Sequence, residues 1–118
     1  MSVPVDLRAL EQTAAARGDE ALLASVTTAS TPHIVSVLVR WNNGHIELGA
    51  GRRTAANVAE HPTVTLLWPN RHDDAYRLIV DGDAIVTGET ITVTPTYAVL
   101  HRVAGAAGHG PTCLPIEG

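Results

Sequence analysis

The residues of this chain best suited to chemistry are Gly49-Ala50-Gly51-Arg52-Arg53-Thr54, which read as a strand end, a glycine-rich corner and the start of a helix. A helix start leaves its first backbone N–H groups unpaired and carries partial positive charge. One or two guanidinium forks beside such a terminus pair bidentately with phosphate oxygens, so the chemistry is anion binding, with phosphate the best match. The same six residues also fit a solvated loop with exposed arginines, and the motif alone leaves both readings open.

Other reactive residue types have no such arrangement. The six histidines are His33, His45, His61, His72, His101 and His109, and none lies four residues from another on an expected helix. The spacings that bind zinc are absent, so these imidazoles read as surface or half-buried groups with local hydrogen bonds, and no metal is expected. His33 is set apart because it opens a strand. Cys113 is the single cysteine, which excludes an intramolecular disulfide and a thiolate cluster. All eight basic residues are Arg, so lysine Schiff-base chemistry is excluded. Ser25 and Ser36 fall in strands without a nucleophile elbow, which argues against a hydrolase triad. Asp73-Asp74 reads as a solvated loop, and Trp68 as a core or subunit-interface residue rather than a stack for a cofactor.

These residues must be positioned by one small domain, spanning 1–118. Hydrophobic residues make up 45% of the chain, and with no Phe the core must be mostly Val, Leu, Ile and Ala. The net charge of -4 argues against nucleic acid as a bulk electrostatic partner. No stretch approaches the roughly 18 apolar residues of a membrane span. Asp6 and Arg8 interrupt what would be the apolar segment of a leader. The expectation is a cytoplasmic protein, and the all-Arg, Ala-rich composition suits a bacterium with a GC-rich genome.

Residues 6–17 predict a helix, capped by Asp6 and stopped by Gly18. Period-two alternation then takes over, with strands over Ala21–Thr28 and His33–Trp41. In the second, Val35, Val37, Val39 and Trp41 share one face, and Ile34, Ser36, Leu38 and Arg40 the other. Asn43-Gly44 is a hairpin signal, with the return strand at about His45–Ala50. A short helix over residues 54–61 ends before Pro62, and Thr63–Trp68 is a strand. Tyr76–Val80 and Asp83–Thr87 flank Asp81-Gly82, which is either a tight turn or a bulge in one bent ribbon. A strand over Ile91–Thr94 follows, and Pro95 opens a last short helix. The tail from Gly105 reads as irregular. Strands of this kind hide their edges by closing, so the expected architecture is mainly β, a small antiparallel barrel with two or three short helices. A barrel so small has little core, which favours dimerisation.

The ordered blocks together are more specific than any one motif. Strand, Asn-Gly hairpin, strand, Gly-Arg-Arg-Thr, helix, His61-Pro62, Leu66-Leu67-Trp68-Pro69 and Leu78-Ile79-Val80-Asp81-Gly82 resemble the pyridoxamine 5'-phosphate oxidase-like family of FMN-binding split barrels, over about Ala21 to Val93. The resemblance implies a homodimer with FMN in a groove between subunits. It gives Arg53, nine residues before Pro62, the role of gripping the FMN phosphate. Thr54 stands where the family usually has lysine and could offer a hydroxyl and an N–H, while Arg52 could supply the missing positive charge. Gly51 belongs to the same corner. Val35, Ser36 and Val37 match the segment lying along the flavin ring, Ala50 matches a small hydroxyl position, and Arg77 matches a glutamine that reaches the flavin from the partner subunit.

The family's oxidases have a longer C-terminal region that supplies substrate-binding residues, so oxidation of pyridoxamine phosphate is not expected. What the resemblance implies is a flavin-dependent oxidoreductase acting on an unidentified small molecule, with no catalytic residue assigned. Two alternatives keep the fold: a deazaflavin as cofactor, or a protein that binds flavin without turnover or has lost the cofactor.

Overall fold

The computed structural model describes residues 2–49, 51–69 and 76–102. A short strand β1 (Ser2–Pro4) leads into a 3-10 turn (Leu7–Ala9) that continues as α1 (Leu10–Ala15). Asp6 caps this turn, accepting a hydrogen bond from the Arg8 N–H, and α1 buries Leu10 and Ala14. Strands β2 (Glu20–Val26), β3 (Pro32–Asn42) and β4 (His45–Gly49) follow, then α2 (Arg52–Glu60) and three further strands, β5 (Thr63–Trp68), β6 (Tyr76–Thr87) and β7 (Thr90–Arg102).

All pairings are antiparallel, in the order β1-β7-β4-β3-β2-β5-β6, and β6 also pairs with β7. Six strands therefore close into a barrel, and β1 lies outside the ring against β7. The alternation read from the sequence is the alternation of burial. Leu23, Ile46, Leu48, Leu66, Leu78 and Ile91 fill the interior, and Trp68 is fully buried there. Its indole N–H donates to the Gly18 carbonyl at 3.1 Å, and its ring stacks on Trp41 with centroids 6.4 Å apart. Trp68 is a core residue. Asn43 and Gly44 both have positive φ, 52° and 81°, as the tight hairpin between β3 and β4 requires.

Asp81-Gly82 is a bend in one continuous strand. The ladder runs Asp81 to Tyr97 and then Gly82 to Pro95, so Thr96 is an extra residue on β7. Its hydroxyl donates to the Asp81 carbonyl at 3.2 Å. A Cβ on Gly82 would meet Val93 Cγ1 at 2.6 Å and the Thr94 carbonyl oxygen at 2.7 Å, so the position requires glycine. This bulge also corrects the expected helix after Pro95. Residues 95–102 continue β7, because a proline at a bulge costs little of the hydrogen-bonded ladder.

The described residues bear out a mainly β split barrel with two short helices. None of their helices is long and apolar enough to cross a membrane. Ala50, residues 70–75 and residues 103–118, where the sequence predicts a polar loop and an irregular tail, lie outside the described residues.

Candidate split-barrel cofactor site

Strand β3 changes partner midway. Residues 32–38 pair only with β2, and residues 39–42 pair only with β4. On the β4 side the first half of β3 therefore has no strand beside it among the described residues. Which backbone groups face that bare edge follows from one bond, Val39 N–H to the Asp19 carbonyl at 2.8 Å, which turns the Val39 backbone toward β2. Successive residues alternate, so the N–H and C=O of Ile34, Ser36 and Leu38 point to the open side.

The chain itself opens this edge. β4 ends at Gly49, just where it would come level with Leu38, and turns away into α2. Gly51 is the N-cap of α2, in extended conformation, and no side chain caps it. Arg52 and Arg53 are exposed on the first turn, with no ion-pair partner among the described residues. Helix and barrel are tied by a buried hydrogen bond from Asn57 Nδ2 to Ser25 Oγ at 3.2 Å. A cleft of about 510 Å³ opens at the end of β4, lined by Leu38, Arg40, Gly49 and Thr90 and by the carboxylates Asp19 and Glu89 among others, while Ser36, Gly51, Arg52 and Arg53 are not among its lining residues. Arg40 is held at its rim by Glu47, at 3.3 Å.

The sequence-derived site residues are thus placed unevenly. Gly51, Arg52 and Arg53 form one corner beside the bare edge. Thr54 shares the helix turn, but the residue is only 5% exposed, so little of it is open to a ligand. Ser36 presents its backbone to the open side and its side chain to the outer face. Val35 and Val37 direct their side chains to the core and their backbones to β2, so they floor the site rather than touch its open side. Arg77 lies on β6, three strand positions from β3, or roughly 14 Å at ordinary spacing. One chain does not bring Arg77 to Ser36.

Three features escaped the sequence reading: the bare edge, the Asn57–Ser25 tie and an apolar outer face. On that face Leu22, Ala24, Ile34, Leu67 and Ile79 surround a groove of about 210 Å³. Ile34 and Leu38 are 62% and 67% exposed. The signal for this face was present, since β3 carries apolar residues on both sides of its alternation.

No family model matches the chain. Over 69 residues it is 44% identical to proteins of uncharacterized function from Mycobacterium bovis and Mycobacterium tuberculosis. The match takes in 52% of this chain and 47% of each relative, so the chain spans about half the length of the curated relatives it matches. Among solved structures it is similar to a protein of the pyridoxinephosphate oxidase family from Clostridium acetobutylicum, related to general stress protein 26 of B. subtilis. The TM-score is 0.63 at 11% identity, over 83% of this chain and 91% of that one. The FAD binding protein from Mycobacterium smegmatis superposes with a TM-score of 0.57 at 16% identity, over 86% of this chain and 100% of that one. An F420 reductase gives 0.59 at 15% identity, over 67% and 87%. The fold is that of the pyridoxamine 5'-phosphate oxidase-like split barrels.

Proposed function

We propose that this chain is an FMN-binding protein of the pyridoxamine 5'-phosphate oxidase-like family, working as a dimeric flavin-dependent oxidoreductase on a small organic substrate. The observation that carries the reading is the bare edge of β3 beside the corner at Gly51-Arg52-Arg53. A strand edge offers alternating N–H donors and C=O acceptors, the complement of a flavin ring edge that presents carbonyl oxygens and an N–H. Two guanidinium groups with no ion-pair partner among the described residues, together with the first N–H groups of α2, support phosphate binding at the corner where the chain leaves β4. When bound, the flavin supplies the hydride and electron transfer. The protein's part is to bind, orient and shield: Arg53 and Arg52 hold the phosphate, the Ser36 backbone fixes the ring edge, and Val35 and Val37 keep the floor dry.

The apolar outer face supports a second copy as partner. The half-buried Leu22, Leu67 and Ile79 border an apolar groove that no other described residue fills, and association would remove it from water. The partner's copy of this face would also bring Arg77 to the flavin. The fold similarity to an F420 reductase supports a second reading, with a deazaflavin on the same strand edge.

The test is a visible absorption spectrum of the purified protein followed by an FMN titration read by flavin fluorescence quenching. Saturable binding at micromolar or tighter levels is expected. Arg53→Ala removes a charge-assisted contact of about 1.5–3 kcal/mol, weakening FMN about ten- to a hundredfold. An unchanged dissociation constant in that variant would remove Arg53 from the site. No FMN binding at all, with binding of a deazaflavin, would transfer the site to the second reading.

A further inference from the structure

Beside the point where β3 changes partner, a second cavity opens at the α1 end of the barrel. The β2–β3 ladder continues one step past β2, through the Val39 N–H bond to the Asp19 carbonyl. Asp19 is thereby the cross-strand partner of Val39, and its side chain falls on the same face as those of Val39 and Trp41. Ala15, Gly18, Asp19, Val39 and Trp41 line a cavity of about 340 Å³, a size that suits a small molecule.

Two of its walls have chemistry to offer. Trp41 is half-buried and braced by Trp68, with 24° between the ring planes, and Trp68 is itself pinned to the Gly18 carbonyl. Trp68 thus backs the aromatic wall from inside the barrel. Asp19 is exposed, and among the described residues its carboxylate has no ionic or hydrogen-bonding partner. Arg17, two residues earlier, turns its guanidinium to the Thr13 carbonyl at 3.3 Å. An electron-rich indole beside a carboxylate with no ion pair among the described residues attracts organic cations, which are weakly hydrated and are drawn to a ring face. An anion meets repulsion there, and a hydrated metal ion finds one carboxylate and a mostly apolar wall.

We infer that this cavity binds a small organic cation of the alkylammonium class, with Trp41 supplying the ring face and Asp19 the counter-charge. The site does not depend on the flavin reading, because Trp41, Ala15 and Gly18 take no part in the cofactor cleft, although Asp19 and Val39 form a wall common to both.

The chain has two tryptophans, so a nitrogen-labelled sample gives two indole N–H resonances, assigned through Trp41→Phe. The protein is titrated with tetramethylammonium chloride, with sodium chloride at matched ionic strength, and with tert-butanol as a neutral molecule of similar shape. The expected result is a saturable shift of the Trp41 resonance at millimolar tetramethylammonium, and none with either control. In Asp19→Asn the apparent affinity falls up to about fivefold, the scale of one exposed ion pair. No saturable shift, an equal response to tert-butanol, or an Asp19→Asn affinity equal to wild type would each overturn the proposal. The comparison of cation with neutral molecule is made in the wild-type protein, so it stands whatever the variant does to stability. Failure here leaves the FMN titration untouched.

Discussion

Two regions of this barrel use glycine for opposite reasons. At the β6–β7 bulge, Gly82 has no room for a side chain, with Val93 and the Thr94 carbonyl closer than any real Cβ contact. At the α2 corner, Gly49 and Gly51 have nothing within 4 Å of where a Cβ would stand, and Gly51 sits at φ -71°, which any residue can adopt. The first glycine is demanded by the fold. The other two are not, so what they leave clear is space at the surface beside two arginines. A glycine with open space around it leaves room for something else to approach the backbone.

The sharpest way to break this contrast is at the bulge. Gly82→Ala should cost about 3 kcal/mol, the upper end of overpacking, because one of the opposing atoms is backbone. The check is a urea or thermal melt, and a variant as stable as wild type would show that the bulge relaxes freely. A smaller loss is expected where the corner is tied to the barrel. Asn57→Ala strands the buried Ser25 hydroxyl and should cost about 1–2 kcal/mol in the same melt. It should also weaken FMN, since the helix start loses its anchor; full affinity with lowered stability would separate α2 placement from binding. The smallest effect is predicted for Gly51→Ala. The stiffer unfolded chain and the poorer N-cap offset one another, leaving stability within about 0.5 kcal/mol of wild type. FMN affinity should nonetheless fall, because a methyl group occupies the approach to the helix start. Unchanged affinity would erase the distinction between the two kinds of glycine.

The same contrast explains what could be read from the sequence. The period-two alternation of β3 and β5, the Asn43-Gly44 hairpin and the helix ending before Pro62 are local signals, and each marks its element in the structure. Pro95 misled because its local preference for a helix start competes with a long-range fact, the bulge opposite Gly82. The arginine corner was legible for the same reason as the hairpin, since glycine, arginine and a helix start lie within a few residues. The bare edge was not. Whether the Ser36 backbone is paired depends on where β2 and β4 fall along β3, and no spacing within β3 itself encodes that.

That edge has a cost before any ligand arrives. Strand edges in natural proteins are commonly blunted by lysine or proline. This chain has no lysine at all, and Pro32 guards only the start of β3. Between Ile34 and Leu38 the bare groups lie beside exposed aliphatic side chains, the surface on which a strand from another molecule adds most readily. Whatever occupies the edge also protects it, so the yield and shelf life of this protein should rise with flavin in the growth medium and buffer. Cloudiness on storage would then report an empty site.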